Sequence, residues 1–215
     1  MVKAKIQWLK KYTKLEYLQL ILKERQLHLG DPKDWLDKND SKLIQLYSGA
    51  SGAFEMRATC LAEAADRFHF WAIFGECEKG VCLWFDKASL LGDIRKDQSL
   101  IAENVQYLSS DGLRKLERRF VPFAKREQYQ DEREFRVLRV KPTQHVAADK
   151  FEFSAFSLRR IYLNPWLSRI AAEREKTKIS NLLGSEFRHV KVLQNRTLRQ
   201  NSWIEEAKDA LSTSF

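Results

Sequence analysis

Stretches patterned as strands and stretches patterned as helices follow one another along this chain without a regular strand–helix–strand cadence, and that irregular order argues against a doubly wound parallel sheet. Ile6 to Leu9 reads as a short first strand. Lys14 to Arg25 then sets Leu15, Leu18, Ile21 and Leu22 at helical spacing, with Thr13 as the N-cap. Gln26 to Leu29 reads as a strand stopped by Gly30, Asp31 and Pro32, and Asp40 to Tyr47 as a short helix before a flexible loop, Ser48 to Gly52. Strands are expected at Met56 to Leu61, Val81 to Phe85, Val105 to Leu108, Glu132 to Val140, Arg159 to Leu163 and His189 to Leu193. Helices are expected at Arg67 to Phe74, which is dense in aromatics and reads as buried, and at Lys87 to Ile94. Another runs from Asp111 to about Phe120, where Pro122 interrupts or ends it; a long one, Leu167 to Leu183, is closed by Gly184. Trp203 to Leu211 forms a final helix packed on the outside. The expected fold is α+β: a mixed or largely antiparallel sheet of about six to eight short strands with flanking helices, one domain over residues 1–215.

A chain of 215 residues, 44% hydrophobic and 31% charged with 8 glycines and 4 prolines, can bury a core without disulfide or metal staples and is not low-complexity. Three cysteines, Cys60, Cys77 and Cys82, make no disulfide framework and suit a reducing compartment. The opening residues lack the apolar core of a signal peptide, and no apolar run reaches the ~20 residues of a membrane helix, so a cytoplasmic protein is expected. A net charge of +9 favours contact with something acidic.

The segment Tyr129 to Arg136 carries the densest chemistry. Read as a strand, it puts Glu132, Glu134 and Arg136 on one face. One carboxylate can then orient a substrate hydroxyl or stabilise a developing cation while its neighbours tune its ionisation; the bland alternative is a salt-bridge ladder at the sheet surface. Arg114, Lys115, Arg118, Arg119, Lys125 and Arg126 are interleaved with Leu113, Leu116, Phe120 and Phe123, which fits either a solvated helix face or a phosphate-backbone contact surface. Cys77 and Cys82 with His69 form at best a metal half-site, because zinc spacings are tighter and a fourth ligand is not evident; no metal is expected. Glycine-rich phosphate loops, GxSxG and HExxH are absent.

Four ordered segments, KYTKLEYLQLILKERQLHLGDPKDW, FWAIFGECEKGVCLWFD, YQDEREFR and RRIYLNPWLS, resemble the bacterial domain-of-unknown-function family 2971 over nearly the whole chain. Lys79, Gly80, Val81, Cys82, Leu83, Phe85 and Asp86 match its most specific piece, as do Glu132, Glu134 and Arg136. Departures are Thr13 in place of Arg, Phe74-Gly75 in place of Tyr-Ala, and Asn164 in place of Gly. The order of a polar first strand, a helix, a middle strand and a late strand bearing Glu-x-Glu is similar to ADP-ribosyltransferase-like domains. That resemblance implies Glu134 as the catalytic carboxylate with Glu132 as its helper, NAD as substrate, and Lys11, Tyr12 and Arg136 in contact with the dinucleotide in a pocket shaped by Trp71 and Phe74. It also implies an NAD-dependent transferase or glycohydrolase, a toxin or phage-defence effector with a protein or nucleic-acid acceptor. Two alternatives stay open: a non-enzymatic nucleic-acid or nucleotide-binding module working through its basic helical face, and a protein-interaction domain of a larger system.

Overall fold

A computed structural model describes residues 7–50, 54–142, 149–198 and 201–212. The strands are β1 (Trp8–Lys14), β2 (Gln26–His28), β3 (Phe54–Ala62), β4 (Gly80–Asp86), β5 (Leu100–Asn104), β6 (Gln106–Leu108), β7 (Ala124–Arg126), β8 (Glu134–Pro142), β9 (Lys150–Glu152), β10 (Leu158–Leu163) and β11 (Lys191–Gln194). The α-helices are α1 (Leu15–Glu24), α2 (Lys38–Ala50), α3 (Phe68–Ile73), α4 (Lys87–Ile94), α5 (Ser110–Arg114), α6 (Arg169–Leu182) and α7 (Asn201–Ser212). Seven strands form one sheet in the order β11-β10-β4-β1-β3-β8-β5, antiparallel except where β11 runs beside β10; β2 pairs with β9 and β6 with β7 in two small ladders. The fold is α+β with a mostly antiparallel sheet. Among the described residues, no helix is long and apolar enough to cross a membrane.

Strand alternation gives the sheet two unlike faces. One face presents Leu9, Leu61, Leu83, Phe85, Phe135, Val137 and Ile161, and joins Leu18 and Leu22 of α1, Leu90 and Ile94 of α4, and Ala172 and Ile179 of α6 in the main core. Each Leu, Ile, Val or Phe among them contributes about 1.5–3 kcal/mol when fully buried. The opposite face carries two smaller clusters. One holds Tyr12, Ala62, Phe70, Trp71 and Cys82, the other Ile44, Met56, Ala58, Phe123 and Leu138. Between them lies a row of polar groups. β1 and β3 are paired at Lys10↔Ala62 alone, whereas β1 and β4 pair along seven successive residues.

Several local expectations change. Thr13 lies inside β1 opposite Val81, so Lys14 caps α1, with no side-chain bond. Ile6 and Gly52 lie outside the described residues, and α2 continues through Ser48 to Ala50. The Asp111–Phe120 helix breaks after Arg114: Glu117 is extended, and Arg118–Phe123 is a 3-10 helix that seats Phe123 in the second cluster. Leu100–Asn104 is an additional strand whose outward residues gave little alternation to read. Gly184, with φ −66°, is not the left-handed stop of a helix that ends one residue earlier at the Leu183 cap. Residues 202–212 of α7 are all exposed instead of packed.

Candidate functional site

Glu132 is not part of the strand. Glu127–Glu132 is a 3-10 turn, and Arg133, at φ 43°, occupies the left-handed region that non-glycine residues rarely adopt before β8 begins at Glu134. This kink still brings Glu132 and Glu134 to one ammonium group: Lys125 Nζ lies 2.6 Å from Glu132 Oε2 and 3.2 Å from Glu134 Oε2. Arg136 is wholly buried. Its Nε donates to Glu134 Oε1 at 2.7 Å, its two terminal nitrogens donate to the Asp40 carboxylate at 3.3 and 2.8 Å, and one of them also donates to the Pro122 carbonyl at 2.8 Å. Its guanidinium sits 4.8 Å over the Trp35 ring. Three carboxylates therefore surround two cations between the two small clusters of the sheet face.

Burial alone would raise the Glu134 carboxyl, but the charges of Arg136 and Lys125 overcome it and hold the pKa down to about 2. Asp40 and Glu132 go the other way, since desolvation outweighs their attraction to the cations. Burial disfavours the charged form of Lys125, yet Glu134 and Glu132 raise it above its ordinary value. A carboxylate offers about four acceptor positions; Arg136 and Lys125 occupy one on each oxygen of Glu134, and the Cys60 thiol donates to it as well. A fixed anion with about one acceptor position left is the result.

Beside it, β3 presents the small side chains Cys60 and Ala62, paired with Arg136 and Glu134, and Cys60 is only partly covered. This strip of the sheet face, hereafter the trough, runs between α3, whose Phe70 and Trp71 cluster with Ala62, and the 3-10 turn bearing Glu132. His69 Nε2 of α3 approaches Asp131 Oδ2 of that turn at 3.1 Å, so the two flanks are in contact.

The residues named from sequence divide into four groups. Glu132, Glu134 and Arg136 converge as described, joined by Lys125, which is turned inward at 10% side-chain exposure and so leaves the basic surface. Tyr12 and Trp71 are buried in the framework: the Tyr12 hydroxyl (2.6 Å) and Trp71 Nε1 (2.9 Å) donate to Asp66, which also accepts from Asn195 and Thr197. Lys11 lies nearer the trough, 3.4 Å from the Cys60 carbonyl and with its pKa lowered by burial, while Phe74 is 45% exposed against Phe70. The basic segment is dispersed because its helix does not form as one piece: Arg114 pairs with Asp111, Arg119 with Glu117, and Arg126 with Asp37 and Tyr129, and Arg118 donates to the Ala50 carbonyl. Lys115 is exposed. Asp40, Asp66 and Cys60 had no local signature as site residues. Among the described residues, no group of three His, Cys, Asp or Glu side chains is placed to hold a metal ion.

No protein-family model matches the chain, and no curated protein matches it. Among solved structures it is similar to Thermus sp. 2.9 DarT in complex with NAD+, at 11% identity over 89% of this chain and 96% of that chain with a TM-score of 0.46. The carba-NAD+ complex gives 11% identity over 89% and 97% with a TM-score of 0.44, and the complex with ADP-ribosylated ssDNA gives 13% over 88% and 94% with 0.46.

Proposed function

We propose that the chain is an NAD-dependent enzyme of the ADP-ribosyltransferase-like kind, a toxin or defence effector that transfers ADP-ribose to a protein or nucleic acid, or to water. The observation that carries this reading is Glu134: a carboxylate kept ionised by Arg136 and Lys125, beside the small side chains Cys60 and Ala62 of β3. A group of this kind does two things for a ribosyl substrate. It accepts a hydrogen bond from a ribose hydroxyl, and it faces the positive charge that builds on the sugar as the bond from C1′ to the nicotinamide nitrogen breaks, nicotinamide leaving with the electron pair. Glu132, more exposed and with a raised pKa, is suited to take the proton of the nucleophile as it bonds to C1′. In this reading Lys11, near Glu134, and Phe74, exposed on the end of α3, meet the rest of the dinucleotide, while Tyr12 and Trp71 support α3 through Asp66.

The test is nicotinamide release from NAD by the purified chain, with cell extract as the source of acceptors. Wild type should release nicotinamide, and Glu134→Gln and Glu132→Gln should lose at least about 100-fold in rate while circular dichroism stays unchanged. No release by folded wild type, or full activity in both variants, would overturn the reading.

A further inference from the structure

On the same face of the sheet, away from the trough, the half formed by β11, β10, β4 and β1 carries a cross-strand row that the proposed chemistry does not use. Register pairs place Lys191 beside Arg160, Arg160 beside Trp84, and Trp84 beside Lys10. Trp84 is also flanked by other rings. Its centroid lies 4.7 Å from that of Tyr162 and 5.7 Å from that of Trp8, both tilted. The Arg160 guanidinium lies 4.9 Å over Trp8 and 5.7 Å over Trp84, and one of its nitrogens is 3.3 Å from the Tyr162 hydroxyl. Trp8, Trp84, Tyr162 and Arg160 are all half-buried and Lys191 is exposed, while the residues that alternate with them, Leu9, Leu83, Phe85 and Ile161, are wholly buried in the main core. Among the described residues, neither Arg160 nor Lys191 has a carboxylate partner.

We propose that this face is a docking surface for single-stranded nucleic acid, with unpaired bases stacked on Trp8, Trp84 and Tyr162 and phosphates held by Arg160 and Lys191. Charge complementarity selects the occupant. Arg160 lies over Trp8 and Trp84, Lys10 Nζ lies 4.6 Å over Trp84 and Lys191 stands beside Arg160, on a chain of net charge +9, and a polyanion with planar bases satisfies both features at once. A duplex satisfies only the charges, because its bases are stacked on each other and present no free face to an open sheet. The row continues from Lys10 through Ala62 to Glu134, so a strand lying on it ends at the trough. Binding itself requires no NAD chemistry and is separable from the proposed reaction.

The experiment titrates wild type with a fluorescent 12-nucleotide single strand and with the same sequence as duplex, without NAD, at several salt concentrations. The expected result is tighter binding of the single strand, quenching of tryptophan emission, and a loss of about tenfold or more in Trp84→Leu, which keeps apolar bulk and removes the stacking face. Arg160→Gln should weaken binding and flatten the salt dependence, and Arg118→Gln with Arg119→Gln should leave the affinity within about twofold. Unchanged melting temperatures keep these losses attributable to binding. Equal affinity for duplex, a loss confined to the Arg118 and Arg119 variants, or no binding by wild type overturns the proposal.

Discussion

Replacing Arg136 by Met tests the charge network most directly. The side chain is fully buried and its guanidinium serves two carboxylates and a carbonyl, so Met fills much of the volume while leaving Asp40, Glu134 and the Pro122 oxygen without that donor. Lys125 is then the remaining cation, 3.2 Å from Glu134 and 3.8 Å from Asp40. Breaking a buried pair from one side costs about 3–5 kcal/mol, a large part of the 5–15 kcal/mol that holds a typical domain together. Urea denaturation followed by circular dichroism and by tryptophan fluorescence should show that loss with an unchanged slope. Adding Asp40→Asn should return about 1–3 kcal/mol, because burial already penalises that charge. The pH dependence has a definite sign. Glu134 has its folded pKa depressed to about 2, so the stability it contributes is fully present above the ordinary carboxylate value of about 4.5 and is lost as pH falls towards 2. That window corresponds to about 3 kcal/mol, and Arg136→Met should remove most of it. Asp40, with a raised pKa, opposes the trend as it protonates. A cost below about 1 kcal/mol for Arg136→Met, or an acid limb as steep as in wild type, would refute the assignment of Arg136 as the counter-charge.

Asp66→Ala removes the common acceptor of Tyr12, Trp71, Asn195 and Thr197 and should cost about 2–4 kcal/mol in the same urea assay, with a change in tryptophan emission. Gly80→Ala puts a Cβ 2.6 Å from the Gly75 carbonyl oxygen, a backbone atom, and should lower stability by about 1–3 kcal/mol in thermal melts, whereas Gly92→Ala, with open space around it, should not. Asp131→Asn breaks an exposed contact to His69 and should change stability by less than about 1 kcal/mol; a larger loss on denaturation would mean that the contact holds the two flanks of the trough together.

The parts of the fold legible in the sequence are those whose pattern is local. Val81 to Phe85 declared β4 because it is apolar and bounded by Gly80 and Asp86. Glu134 and Arg136 were legible as a pair for the same reason, two residues apart on one strand face. Asp40 was not, since it meets Arg136 from 96 residues away and no local pattern announces that contact. Lys125 misled in the opposite sense: in sequence it joins a run of exposed cations, and only the placement of β7 beside the Glu132 turn buries it. Thr13 read as a helix cap because capping preference is local, but the seven-residue pairing of β1 with β4 overrides it.

The one-pair contact between β1 and β3 has a topological consequence. It is a seam dividing the sheet into a half with β11, β10, β4 and β1 and a half with β3, β8 and β5, and the chain crosses it four times: from β1 to β3, β3 to β4, β4 to β5, and β8 to β10. Neither half is a continuous piece of sequence, so no truncation isolates one. What backbone pairing does not fasten there is held by the covalent chain and by side chains that cross from β1, Lys10 Nζ donating to the Ala64 carbonyl and the Tyr12 hydroxyl to Asp66.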